Sequence, residues 1–429
     1  MAPARKVFSA VRVSRIIPPN PAKRANDELY GQHRAGEIVS VNFPQFGHAR
    51  LTDFSLAPGV GHLNHGSYGA APRVVTAAAQ VWRERMEADP TSFFRDELPG
   101  ATRAAAERVA GFLGGCGDDW AFLENATQGT NAIIASLKLE PGDELICLSQ
   151  VYNAVNNTLR HYGEQAGARV VTLPVPVPFA EPAPLLAALD AAISPRTRLA
   201  SFDHISSAGA VVFPIREMAA ICRERGVPVA VDGAHAPGQL PLDVPGLGVD
   251  WYVGNLHKWA FATRGTAIIW CAPERQAALH PVAISHNLGR GFAAEFDFSG
   301  TRDSSAWLAV PEALDYLAAL GPEAVHAHNN ALAREAGEML ADAWNSEIAA
   351  APQFSAAMAS VRLPGVAAAD RTAARRIAQH LREAHDISAG VMVIDGGVWL
   401  RVSAQIYNEI ADYRPLVAIG RSLMREFGI

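Results

Sequence analysis

Cysteine is scarce in this chain, with 4 in 429 residues. Cys116, Cys147, Cys222 and Cys271 form no CxxC pair and no cysteine–histidine metal spacing. That excludes a disulfide framework and a zinc module and leaves reduced thiols in a reducing compartment as the expectation. Cys147 and Cys271 sit inside apolar runs, as core residues do. Long apolar runs are missing too: none reaches the eighteen or so residues that a membrane-spanning helix needs. Neither sign of charge dominates, with 37 Lys and Arg against 43 Asp and Glu, so nothing draws the chain to nucleic acid or to an acidic membrane. Met1–Arg15 is basic, yet Arg12 and Arg15 break up its short apolar stretches. A secretory core is missing, and the chain is expected in the cytoplasm, with an organellar transit peptide as the alternative. Gly246-Leu-Gly248 lacks the third glycine of a dinucleotide-binding loop, and neither GxxxxGK[ST] nor GxSxG occurs. His326 and His328 fall on a polar helical pattern, Val325-His-Ala-His-Asn329, and no metal site is expected there.

What is present is a large apolar fraction, 49% against 19% charged, the balance of a globular protein long enough for two α/β domains. Residues 1–50 hold few periodic apolar positions and the breaker-rich Ile17-Pro-Pro-Asn-Pro21, which predicts an extended N-terminal arm. From about residue 100 short β-like runs alternate with helical stretches. The runs are Trp120–Leu123, Glu144–Leu148, Arg169–Leu173, Arg198–Phe202, Val227–Val231, Trp251–Val253 and Thr266–Trp270, with amphipathic segments such as Pro214–Arg225 between them. This alternation predicts an α/β domain over 51–310 whose sheet is mostly parallel and covered on both faces. In such sheets ligands collect at the carboxyl ends of the strands. Long helical patterns follow, then β-like runs near Ile387–Ile394 and Gly397–Ser403 and a closing helix, which predicts a smaller α+β domain over 311–429.

Chemistry-bearing residues cluster where the predicted strands end. Val227-Pro-Val-Ala-Val-Asp232-Gly-Ala-His235 puts a carboxylate at one strand end with an imidazole behind it. Val249-Asp-Trp-Tyr-Val-Gly-Asn-Leu-His257-Lys258 puts a lysine at the next. A salt bridge between neighbouring strand ends would explain that pair alone. Pyridoxal 5′-phosphate (PLP) makes three demands that together go further: a lysine amine for its aldehyde, a buried carboxylate for its ring nitrogen and a helix N-terminus for its phosphate. The last is supplied by Glu124-Asn-Ala-Thr127-Gln-Gly-Thr130-Asn131, where a strand ends and an apolar helix opens.

The chain resembles the class V aminotransferase group of fold-type I PLP enzymes, in its isopenicillin N epimerase-like branch. The matching stretches are Leu63-Asn-His-Gly-Ser-Tyr-Gly69, Asn125-Ala-Thr127, Asp203-His-Ile-Ser-Ser207, Asp232-Gly-Ala-His-Ala-Pro-Gly238, Gly254-Asn-Leu-His-Lys-Trp259, Gly300-Thr-Arg-Asp303 and Leu400-Arg-Val-Ser-Ala-Gln-Ile-Tyr-Asn408. The resemblance implies a large domain with a seven-stranded, mostly parallel sheet and a small C-terminal domain. It implies Lys258 as the Schiff-base lysine and proton carrier, Asp232 at the ring nitrogen, and His235 at the phenolic oxygen, which His204 shares. Ala126, Thr127, Asn255 and His257 would hold the phosphate, and Tyr152 would stack on the cofactor. Thr301 would reach the partner subunit's cofactor, making the working unit a homodimer. Arg401, among the apolar Val398, Trp399, Leu400 and Val402, would clamp a substrate α-carboxylate.

Reaction type depends on which bond at the α-carbon is held perpendicular to the ring. No cysteine follows Cys271, which weakens the persulfide-forming desulfurase mechanism, since that uses a cysteine late in the chain. Epimerisation at Cα ranks first, with Lys258 on one face and His65, Tyr68 or Tyr152 on the other. Elimination such as C–S lysis comes second and transamination third. A catalytically silent PLP-binding relative is disfavoured because Lys258 is intact.

Overall fold

The structure, a computed structural model, describes residues 45–367 and 371–427. The expected arm falls for the most part on residues 1–44, outside the described residues. The seven predicted runs form one sheet: β1 (Trp120–Leu123), β2 (Glu144–Leu148), β3 (Arg169–Leu173), β4 (Thr197–Asp203), β5 (Val229–Asp232), β6 (Trp251–Asn255) and β7 (Ala267–Cys271). Their spatial order is β1-β7-β6-β5-β4-β2-β3. β7 runs antiparallel to both neighbours and every other pairing is parallel. Four of the interior strands are buried at every position, which is why they read as continuous apolar runs, whereas edge strand β3 is partly exposed.

The reversed strand has a simple cause. Only residues 256–266 separate β6 from β7, too few for the covering crossover a parallel return needs, so the chain doubles back. Lys258 sits in that short connection. At the other side of the sheet β4 inserts beside β2 after β3 has gone outward, so the strand order switches direction between β2 and β4. A crevice opens at the carboxyl ends of strands around such a point.

Eight helices bear on the argument: α1 (His65–Tyr68), α2 (Ala126–Ala135), α3 (Asn153–Ala166), α4 (Ile215–Glu224), α5 (Leu256–Trp259), α6 (Pro322–Trp344), α7 (Arg371–His385) and α8 (Pro415–Phe427). In α4 the buried positions Ile215, Met218, Ala219 and Cys222 follow the i, i+3, i+4, i+7 spacing that the sequence shows. Fully burying one such side chain stabilises the fold by roughly 1.5–3 kcal/mol.

The later part of the chain corrects one expectation. A third strand, β8 (Met358–Ala367), joins β9 (Gly390–Ile394) and β10 (Gly397–Ser403) in the antiparallel order β9-β10-β8. Its alternation of Ala359, Val361 and Leu363 with Ser360 and Arg362 is short, and Pro364 with Gly365 (φ 76°) breaks the run. The single run expected at Ile387–Ile394 is also divided. Ile387–Ser388 pairs in parallel with Gly61–His62, and β9 begins afresh at Gly390. Leu340, Leu363, Ile377, Leu381, Leu400, Leu416 and Leu423 fill the core shared by α6, α7, α8 and this sheet.

Candidate active site

Lys258 is held from both sides by backbone that tolerates no side chain. Gly69, just past α1, has φ +68°, and a Cβ there would lie 1.8 Å from the His257 carbonyl oxygen. Gly238 (φ +84°) would place a Cβ 2.4 Å from the Trp259 carbonyl. Both positions need glycine for the close approach and for the left-handed conformation. The lysine is buried, and that burial lowers its pKa to about 8 against the opposing pull of Asp232. Its Nζ lies 3.2 Å from His235 Nε2. Trp259 Nε1 donates to the other ring nitrogen at 3.5 Å. The neutral tautomer therefore carries its proton on Nε2 and donates to the lysine nitrogen once the amine is uncharged. Burial holds His235 well below the usual imidazole range.

Asp232 ends β5 and stands beside Asp203, its register partner at the end of β4. Both carboxyls are buried, and burial raises both pKa values. Asp203 is raised further by the charge of Asp232. Asp232 Oδ1 accepts from the Ala234 amide at 2.9 Å, and Asp203 Oδ1 accepts from the Tyr152 amide at 3.1 Å. Asp203 Oδ2 is buried with no hydrogen-bond partner. That bond to Tyr152 crosses the switch point between β2 and β4.

A cavity of about 160 Å³ unites Lys258, Asp232, His235, Asn255, His257, Ala126, Thr127, Tyr152 and Tyr68 with Asp203, Ser67 and Ser207. The N-terminus of α2 opens onto it. Asn125 caps this helix by accepting from the Gln128 amide at 3.0 Å, while the Thr127 hydroxyl makes no hydrogen bond within the described protein. The Ala126 amide, which the resemblance assigned to a phosphate, is engaged by Asn255 Oδ1 at 2.9 Å. Asn255 thus ties the end of β6 to the first turn of α2. His257 Nδ1 bonds the Thr266 carbonyl at 2.9 Å, so Nδ1 carries the proton and Nε2 is left for another partner. Burial lowers the pKa of His257 to about 4, and an anion beside it would oppose that shift.

Four expected residues are not among those lining the cavity. His204 is buried with Nδ1 3.0 Å from the Tyr252 hydroxyl. His65 is buried with Nδ1 2.9 Å from the Tyr407 hydroxyl and Nε2 2.8 Å from the Lys258 carbonyl. With both nitrogens engaged, His65 braces the lysine's backbone and offers no proton to a substrate. Thr301 is exposed at the surface of this single chain. Arg401 is fully buried behind Ser67 and Ser207, which do line the cavity. Nη1 donates to the Ser207 carbonyl at 2.5 Å, and Nη2 donates to Ser67 Oγ at 2.9 Å and Asn64 Oδ1 at 3.0 Å. No carboxylate pairs with Arg401 among the described residues, its Nε lacks a partner, and burial lowers its pKa to about 10. Sequence reasoning passed over Asp203, although it ends a strand just as Asp232 does, and over Ser67 and Ser207, which lie inside quoted motifs.

Residues 69–413 match the aminotransferase class-V family model. The chain belongs to the class-V aminotransferase family. It is 33% identical over 370 residues to isopenicillin N epimerase of Streptomyces clavuligerus, covering 82% of this chain and 92% of that one. It is 28% identical over 392 residues to L-cysteine desulfhydrase of Arabidopsis thaliana, covering 83% and 86% respectively. Among solved structures, a variant of C-DES with glycine covalently linked to its PLP cofactor superposes with a TM-score of 0.70 at 20% identity. That alignment covers 86% of this chain and 98% of the other. This family member is a PLP-dependent enzyme with the fold-type I architecture. The cavity fits the cofactor's three demands: a buried carboxylate, a lysine whose amine is readily uncharged, and a helix N-terminus with a free hydroxyl. No helix among the described residues is long and apolar enough to cross a membrane.

Proposed function

We propose that the enzyme moves a proton at the α-carbon of an amino acid or amino-acid derivative, removing it on one face and returning it on the other, an epimerisation. When bound, PLP supplies the electron sink that makes the α-proton acidic. In this reading Lys258 carries the cofactor and is the proton carrier on one face. Asp232 keeps the ring nitrogen protonated, and His235 hydrogen-bonds the ring oxygen. Thr127, with the first turn of α2 and His257, holds the phosphate. Arg401 takes the substrate α-carboxylate once its bonds to the Ser67 hydroxyl and the Ser207 carbonyl open.

The observation that carries the reading is that one cavity holds proton carriers of two kinds from separate segments: the Lys258 amine and the phenols of Tyr68 and Tyr152. Both tyrosines are largely exposed, at 73% and 45%, which lets a phenol exchange its proton with water between turnovers. The reading assigns one of them to the face opposite Lys258. No thiol lines this cavity. Cys147, Cys222 and Cys271 are buried in the core, where burial pushes Cys147 up to about 11 and the other two up to about 12. A thiolate relay has no candidate there.

β-Elimination is the second reading, favoured by the similarity to L-cysteine desulfhydrase over most of both chains. It needs Lys258 and a leaving group on the substrate Cβ, and no acid on the second face. Incubation of the holoenzyme with single enantiomers in heavy water, followed by proton NMR, separates the two. Deuterium at Cα with inversion is expected. Pyruvate with released sulfide would replace epimerisation by elimination, and a 2-oxo acid together with aminated cofactor would replace it by transamination. Substituting both Tyr68 and Tyr152 by Phe should abolish inversion while exchange with retention persists.

A further inference from the structure

The cavity around Lys258 does not end at the cofactor residues. A second space of about 300 Å³ shares Ser67, Tyr68, Tyr152, Ser207, His235 and Lys258 with it and continues toward α7 and β9. The α7 face it meets is Arg371, Ala374, Arg375 and Ala378. The spacing i, i+3, i+4, i+7 puts all four on one side of the helix. The alanines leave room and the arginines project at the rim. Val391, Met392 and Val393 of β9 supply an apolar wall. Among the described residues no Asp or Glu lines this space, and neither Arg371 nor Arg375 makes a hydrogen bond or salt bridge. Two guanidiniums four residues apart, in a chain of net charge −6, face a space that no carboxylate lines among the described residues, although Arg371 also borders a neighbouring space with Glu164 and Asp395.

From this we infer that the substrate is an amino acid whose side chain ends in a second anionic group, a carboxylate, carried on an apolar linker. The α-amino group lies at Lys258, the linker runs along Val391–Val393, and the distal carboxylate pairs with Arg371 and Arg375. This rests on the reading of the Lys258 cavity as the amino-acid site and names the class of amino acid it takes. A short amino acid such as cysteine would leave the arginine rim unused.

The test is calorimetric binding of unbranched α,ω-dicarboxylic acids, against monocarboxylic acids of the same chain length, to the holoenzyme. These probes have no amino group and undergo no reaction. At the matching length the diacid should bind at least about tenfold tighter, the size of one charge-assisted pair. In the R371Q/R375Q double variant the ratio should fall to near one, while R371K/R375K should keep most of it. Equal affinities in the wild type would overturn the inference, as would a preference that survives in the Gln variant. Because the ratio is read without turnover, it is independent of the heavy-water experiment. Diacid preference without inversion would retain the subsite and reject epimerisation. Inversion without diacid preference would reject the subsite alone.

Discussion

Replacing Arg401 by glutamine separates a structural role from a substrate role. The guanidinium is fully buried in β10, hydrogen-bonded to Ser207, Ser67 and Asn64 and, among the described residues, paired with no carboxylate. Burial lowers its pKa from 12.5 to about 10. At about 1.4 kcal/mol for each tenfold change in proton affinity, the charged form is penalised by roughly 3 kcal/mol. R401Q relieves that penalty. It also forfeits hydrogen bonds from a charged donor, worth about 1.5–3 kcal/mol each, and the glutamine amide restores one or two of the three partners. The opposing contributions leave a net loss of folding stability within about 2 kcal/mol, a fall of a few degrees in Tm. Substrate binding has no such offset. Truncating one partner of a buried charge pair costs about 2–5 kcal/mol, and about 3 kcal/mol is roughly a hundredfold in Kd. Differential scanning calorimetry measures the first quantity. The second comes from titrating the cofactor absorbance of the holoenzyme with the amino acid that exchanges its α-proton fastest. R401Q should keep its cofactor and nearly all of its stability while losing substrate affinity about a hundredfold. Substrate affinity within about threefold of wild type would refute the clamp, and so would a collapse in stability, because either places Arg401 in the architecture alone.

The wild type should be yellow with PLP and fixed by borohydride as a pyridoxyl-lysine, and K258A should yield no such adduct on peptide mass spectrometry. Because burial brings the Lys258 amine down to about 8, PLP uptake by cofactor-stripped protein, followed by absorbance, should rise with pH through about 8 and level off above it. A rise that continues toward the ordinary lysine range of about 10.4 would show an unburied amine. G69A meets the His257 carbonyl at 1.8 Å with φ +68° and should lose about 2–4 kcal/mol in urea unfolding, with faster loss of cofactor on dialysis. Asp203 has a folded pKa raised above its unfolded value, so it weakens the fold once pH exceeds the unfolded carboxylate pKa of about 3.9. In cofactor-stripped protein, D203N should match or exceed wild-type Tm at pH 7, and its advantage should shrink as pH falls toward 4. An advantage independent of pH would refute the assignment.

The central sheet was legible because interior parallel strands are buried on both faces and so read as short apolar runs between helices. All seven appear in the sequence within a few residues of their ends. β8 did not, since Pro364-Gly365 cuts its short alternation and leaves no regular strand signal. What makes it a strand is β10, which lies on its hydrogen-bonding edge and is remote in sequence. The site shows the same division. Asp232, Lys258 and the Asn125-Ala-Thr127 turn are each a strand end or helix start, so local pattern locates them. His65 and His204 have imidazoles that suit catalysis, and only tertiary structure commits His65 to the Lys258 backbone and His204 to Tyr252.

Charge is distributed along the cavity in a way no single motif reveals. Its inner end holds two carboxyls, Asp203 and Asp232, contributed by adjacent strands. Its outer end holds Arg371 and Arg375, and Arg401 lies behind the serines between. Lys258, with an amine easily uncharged, stands at the junction of the two spaces. A cationic ring nitrogen is favoured inside, and carboxylates are favoured toward the rim. An amino acid entering with its amine inward and its carboxylates outward therefore meets complementary charge at each position, and the reverse orientation meets like charge at both ends. On the proposed reading, the orientation that brings the α-carbon to Lys258 is thus set by electrostatics before any close contact forms. This is why the arginine rim and the Asp232 end belong to one argument about the substrate, although they come from opposite parts of the chain.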